Sequence, residues 1–159
     1  MQRIMAIDPG KTTGIAILDY KTGCNPMAMD EPTDMLTLST ECHLWYGIED
    51  LIIEHDPDIV VYESFRLYSH KAKQKINSEM PTSKVIGVIA FLTEQRDLDN
   101  YRQSAQMGKG FYDRDRLEGL GFTDLDSDHR RDSLKHALHY ISFNSGKTDP
   151  KYKDRDLAY

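Results

Sequence analysis

The chain has 159 residues, with 20 basic and 26 acidic side chains and a net charge of −6. That length suits one domain with a substantial core, and the acidic balance excludes a protein that wraps nucleic acid over its whole surface. Cys24 and Cys42 form neither a disulfide framework nor a zinc pattern of paired cysteines, so a reduced, cytoplasmic setting is expected. The opening MQRIMAIDPGK meets an acid at position 8, too early for the apolar stretch of a signal peptide or membrane helix. A soluble protein is expected.

Residues 2–7 and 13–18 are short β-branched and apolar runs separated by Asp8-Pro9-Gly10-Lys11-Thr12. Two such runs around a turn-forming sequence predict a hairpin. A short strand opening with proline is expected at 26–29. Over 33–55, Met35, Leu38, Cys42, Trp45 and Ile52 recur at helical spacing, and Asp56-Pro57 supplies a stop, which predicts one long amphipathic helix. Residues 58–63 then read as a buried strand with Glu63 at its exit. The next segment, 66–84, carries Arg66, Lys71, Lys73, Lys75 and Lys84 against Glu79 alone, a basic stretch in an acidic chain.

Val85, Ile86, Ile89 and Leu92 mark another helix, and residues 101–104 the strand after it. A charged stretch, 107–128, contains one short predicted helix at 113–120. In the last helix Leu134, Ala137, Leu138 and Ile141 form one apolar face, which is expected to pack on the sheet. On a different face of that helix, His129, Asp132 and His136 fall within about 60° of one another. The tail, 144–159, mixes turn formers with alternating charges and has almost no apolar residues, so it is expected to be loosely held beyond a single domain spanning 1–143.

Three acidic stations stand out: Asp8 ending the first strand, Glu63 ending the strand at 58–63, and His129 with Asp132 at the start of the last helix. Each has a structural explanation. Asp8 before Pro-Gly can initiate a turn, Glu63 can be a solvated strand end, and acids in a first helical turn interact favourably with the helix dipole. Ser127 and Asp128 are both N-cap candidates, with Asp128 assigned to the cap, and His136 reads as a packing or surface histidine. Asp132 lies deeper in the helix, where capping explains it less well. Gly10 and Gly14 in the hairpin leave room for close approach of backbone or phosphate. Related hairpins cradle nucleotide phosphates in sugar kinases and actin, but those need two large domains, for which this chain has little room.

The order and type of the stations carry a family resemblance. AIDPGKTTGIAIL at 6–18, VVYESF at 60–65, YRQSAQMGKGF at 101–111 and HRRDSLKHALHYI at 129–141 resemble the motifs of RuvC-type Holliday junction resolvases, especially the short versions carried by bacteriophages. The resemblance implies an α/β, ribonuclease H-like fold: a mixed five-stranded sheet with a leading antiparallel hairpin and helices on both faces. It matches Asp8, Glu63 and Asp132 to the family's metal-binding carboxylates, and His129 to a position that is Asp in some members and His in others. Ser133 follows the last acid where the family often has Ala.

The implied activity is metal-dependent endonucleolytic cleavage of branched DNA, four-way junctions above all, by a homodimer that makes two symmetric cuts. Two Mg²⁺ or Mn²⁺ ions about 4 Å apart would activate water and stabilise the leaving oxygen. Asp8 would bridge both ions, Glu63 and Asp132 would hold one each, and His129 would ligate or move a proton. Lys109 is a candidate to offset charge at the scissile phosphate. The basic residues Arg66, Lys71, Lys73 and Lys75 are candidates for DNA contact, with Phe65 and Tyr68 able to stack on an exposed base. A ribosomal RNA-processing nuclease of the same fold and a non-catalytic branched-DNA-binding module are the alternatives. Host cytoplasm is the expected location for a phage-encoded protein.

Overall fold

A computed structural model describes residues 1–64 and 80–149, apart from the side chain of Lys109. Its strands are β1 (Gln2–Asp8), β2 (Thr12–Tyr20), β3 (Leu36–His43), β4 (Ile59–Ser64) and β5 (Asp99–Ser104). The helices are α1 (Ile48–His55), α2 (Pro81–Gln95), α3 (Ala105–Phe111), α4 (Arg114–Gly119) and α5 (Asp128–Phe143). One sheet runs in the order β3-β2-β1-β4-β5. The hairpin β1/β2 and the pair β2/β3 are antiparallel, whereas β4 runs parallel to β1 and to β5. This is the mixed five-stranded sheet of a ribonuclease H-like fold.

Strand alternation sorts the core onto two faces. Ile4, Ala6, Ala16, Leu18 and Val61 face α5, where Leu134, Ala137, Leu138 and Ile141 cover them. Met5, Ile7, Ile15, Ile17, Val60 and Tyr62 face the other way, onto Ile48 and Ile52 of α1 and Val85, Ile89 and Leu92 of α2. Because β1 and β4 have helices on both faces, their sequences are continuously apolar rather than alternating. Burying each Ile or Leu of these layers contributes roughly 1.5–3 kcal/mol.

Two sequence expectations fail between the hairpin and β4. Residues Pro26–Ala28 form a 3₁₀ turn, not a strand, with Pro26 in its first position and Asn25 Oδ1 accepting the Met27 N–H at 3.1 Å. The helix expected over 33–55 is instead a 3₁₀ turn (Pro32–Met35), edge strand β3 and the short helix α1. Leu38 and Cys42, four positions apart, share a face in a strand as well as in a helix, so their spacing does not discriminate between the two. Leu44 (φ 54°) and Gly47 (φ 90°) lie in left-handed conformations that break any continuous helix there. Asp56, also left-handed at φ 44°, ends α1 at the expected stop.

Helix α3 was not among the predicted elements; it follows β5 directly and packs on α5. Past α5, residues 144–149 return to β5. The Asp149 carboxylate accepts from the Arg102 backbone N–H at 3.0 Å and from Arg102 Nε at 2.7 Å, and Tyr140 donates its hydroxyl to the Lys147 carbonyl at 2.9 Å. This part of the expected loose tail is therefore held. Among the described residues, no helix is long and apolar enough to cross a membrane.

Candidate active site

Asp8 and Glu63 come together by strand parity. On β1, Ile4 and Ala6 face α5, so Asp8 does too; on β4, Val61 and then Glu63 share that face. The parallel register pairs Ile7 with Tyr62 and thereby sets Asp8 beside Glu63 at the C-terminal ends of adjacent strands. Gln103 is paired with Glu63 across β4/β5 and has the same parity as Tyr101, which packs into the α5-side core. Three polar side chains thus end three parallel strands on one face.

Helix α5 lies over them. Its N-cap is Ser127, whose Oγ accepts from the His129 and Arg130 backbone N–H groups at 3.2 and 3.5 Å. Asp128, assigned to the cap from sequence, is the first helical residue and pairs instead with Arg131, an ion pair that holds its carboxyl below the usual range. The helix start sits directly on the hairpin. A Cβ on Gly14 would lie 2.0 Å from the His129 carbonyl oxygen, so only glycine permits this approach of backbone to backbone.

That contact aims His129 at the first acid, with Nδ1 2.9 Å from Asp8 Oδ2. Two turns on, His136 is fully buried, and its Nε2 lies 3.3 Å from Glu63 Oε2. One oxygen of Asp8, one of Glu63 and one ring nitrogen of His136 all lie within 4.8 Å of one another. His136 is therefore not a surface histidine; it is buried, as a packing residue would be, with its ring nitrogen against Glu63. Its placement at the i+7 position from His129, on the face already holding Asp132, is the signal by which sequence points to it.

Asp132, between the two histidines on that face, binds Lys135 Nζ through Oδ1 at 3.0 Å, with both side chains largely covered. It is not a member of the three-residue group formed by Asp8, Glu63 and His136. Phe65, Arg66, Tyr68, Lys71, Lys73 and Lys75 lie outside the described residues, as does the side chain of Lys109, whose backbone belongs to α3.

Two carboxylates and an imidazole nitrogen fit a divalent cation by donor type: carboxylate oxygen suits Mg²⁺ and Mn²⁺, and imidazole adds affinity for transition metals. At the same site, one buried and one half-buried acid at the C-terminal ends of adjacent central strands favour a bound positive charge.

No protein-family model matches the sequence, and no curated protein matches it. Solved structures do match it. The chain is similar to the Thermus thermophilus RuvC structure, with a TM-score of 0.61, 14% identity, and 92% of this chain and 99% of that one covered. It is similar to T. thermophilus RuvC in complex with a Holliday junction substrate, with a TM-score of 0.66, 12% identity, and coverage of 94% and 100%. A third similarity is to the Fowlpox virus resolvase in complex with substrate Holliday junction DNA, at TM-score 0.55, 17% identity, and coverage of 87% and 97%. In fold, the chain has the ribonuclease H-like architecture that these resolvase structures share.

Proposed function

We propose that this chain is a divalent-metal-dependent endonuclease that cuts branched DNA, with four-way junctions as its preferred substrate. The observation that carries the reading is the convergence of Asp8, Glu63 and a histidine-bearing helix at one edge of a fold otherwise seen in junction resolvases. A divalent ion, when bound, supplies positive charge that offsets the phosphodiester's own and lets water attack phosphorus. Asp8 and Glu63 would hold that ion, and Asp132 would add a third carboxylate from α5.

His129 is suited to proton transfer. With Asp8 ionised, the hydrogen on Nδ1 points to Asp8 Oδ2, which leaves Nε2 bare on a side chain that is 44% exposed. The attacking water gives its proton to Nε2 as its oxygen bonds to phosphorus and one bridging P–O bond breaks. Lys135 Nζ pairs with Asp132 Oδ1 at 3.0 Å. Lys109 and the basic residues Arg66, Lys71, Lys73 and Lys75 neutralise the DNA backbone, and Phe65 and Tyr68 stack at the branch. A homodimer supplies the two sites that two symmetric cuts require.

The test compares cleavage of mobile and immobile four-way DNA, flap DNA and structured RNA with Mg²⁺, Mn²⁺ or EDTA. Paired symmetric nicks in junctions, lost in EDTA and in Asp8→Asn, are the expected result. Cutting of RNA in preference to DNA would make the chain an RNA-processing nuclease. Tight junction binding with no cutting under any metal would make it a binding module.

A further inference from the structure

We infer that Gln103 is a positioning residue that locks His136 in one tautomer, adding a nitrogen donor to the carboxylate site and shifting its preference from Mg²⁺ toward Mn²⁺. The inference rests on the reading of Asp8 and Glu63 as metal-holding groups and extends it to two residues that no part of that reading requires.

The lock follows from hydrogen-bond polarity. Gln103 is fully buried and spends both ends of its amide on one residue. Its Nε2 donates to the His136 backbone carbonyl at 3.2 Å, and its Oε1 lies 2.8 Å from His136 Nδ1. A carbonyl oxygen only accepts, so the amide NH₂ must face it, and the amide oxygen is then fixed toward the ring. An amide oxygen also only accepts. Nδ1 must therefore carry the hydrogen, and the neutral ring is bare at Nε2.

The ring's other nitrogen points at an acid. Nε2 lies 3.3 Å from Glu63 Oε2 on a ring with no exposure to water, a contact that calls for positive charge, either a second proton on the ring or a metal ion beside both groups. The ring cannot turn away to relieve the contact. Gly108 of α3 closes over it so tightly that a Cβ there would lie 3.0 Å from Nδ1 and 3.3 Å from the His136 Cα. Orienting a histidine ligand through its second nitrogen is a general means of tuning metal affinity, and here a neutral amide does it. Imidazole nitrogen favours transition metals, whereas Mg²⁺ prefers oxygen and holds its waters, so the pair biases the site toward Mn²⁺.

Two measurements on the full chain test this. Long-range ¹H–¹⁵N correlation of the metal-free protein at alkaline pH, with the ring neutral, is expected to show His136 protonated at Nδ1 and bare at Nε2. A hydrogen on Nε2, or an equal mixture of tautomers, overturns the inference without any variant. Mn²⁺ affinity by electron paramagnetic resonance, with Mg²⁺ by competition, is then compared in Gln103→Met and Gln103→Glu. Methionine is expected to weaken Mn²⁺ about 10–100-fold while changing Mg²⁺ less, and glutamate, which still accepts from Nδ1 but cannot donate to the His136 carbonyl, to lose less of the Mn²⁺ preference than methionine does. Equal loss of both metals in Gln103→Met would make Gln103 merely structural. If the parent protein cuts no nucleic acid yet shows the tautomer and the Mn²⁺ preference, the nuclease reading fails and this one stands; cleavage with the opposite tautomer is the reverse case.

Discussion

The two faces of the sheet are built from the same strands yet serve different ends. Toward α1 and α2, Ile7, Ile15 and Tyr62 carry the apolar layer to the strand ends. Toward α5, the layer gives way at the same level to Asp8, Glu63 and Gln103, and small residues, Gly14, Ala16 and Ala6, let the helix come close. Adjacent residues, Ile7 beside Asp8 and Tyr62 beside Glu63, therefore belong to different enterprises. Both faces bury a core, but only the α5 face gives up apolar burial at the strand ends to gather charge.

The contrast can be broken most forcefully at Asp8. Asp8→Asn keeps the shape and removes the charge, and junction cleavage is expected to fall about a thousandfold, roughly 4 kcal/mol of barrier, with the melting temperature nearly unchanged. The opposite pattern is expected from Ile89→Ala, which empties a fully buried site on the α2 side. It should cost about 3 kcal/mol in denaturant unfolding and leave cleavage per folded molecule intact. Should Ile89→Ala lower activity at full folding, the two faces are coupled.

Gly14→Ala probes the seam between them. Its methyl group has no room beside the His129 carbonyl, so the helix start must retreat, at a cost of about 2 kcal/mol and with loss of cleavage in the same variant. An unchanged unfolding midpoint would mean that α5 stands off the hairpin. The smallest effect is expected from acid. Burial holds His139 below the ordinary histidine range, so its contribution is complete above about pH 6.5 and declines as pH falls toward its lower folded value. The hydrogen bond from Arg3 holds the Asp19 carboxyl down, and that contribution starts to fall only below about pH 3.9. Melting temperature against pH should decline in two steps, the first absent in His139→Gln and the second in Asp19→Asn.

The strands that build the site were legible because both faces of β1 and β4 are covered and leave unbroken apolar runs. The edge strand β3 was not. Leu38 and Cys42 are half-buried on a one-sided strand, and a four-residue interval satisfies both periods. At the site, Asp8 and Glu63 were readable as acids closing apolar strands, and the structure brings them together. His136 was visible on the right helical face but carried an apolar neighbourhood, Ala137 and Leu138, that reads as packing. Gln103 had no legible role, since a glutamine acquires one only from the partner that tertiary structure brings to it. Helix α3 was hidden by Gly108 and Gly110, weak helix formers; Gly108 is explained by the ring beneath it.

The hydrogen-bonded pair His129 and Asp8 spans 121 positions of sequence. On a ribosome, the hairpin, β4 and β5 emerge long before the segment that caps them, and a growing chain that ends before Asp128 has the acids without their imidazoles. Long-range closures of this kind are formed late because loop entropy must be overcome first. The approach of His129 and His136 to Asp8 and Glu63 therefore waits for the last helix, and under the function proposed above a nascent or truncated chain would lack the imidazoles that cleavage needs.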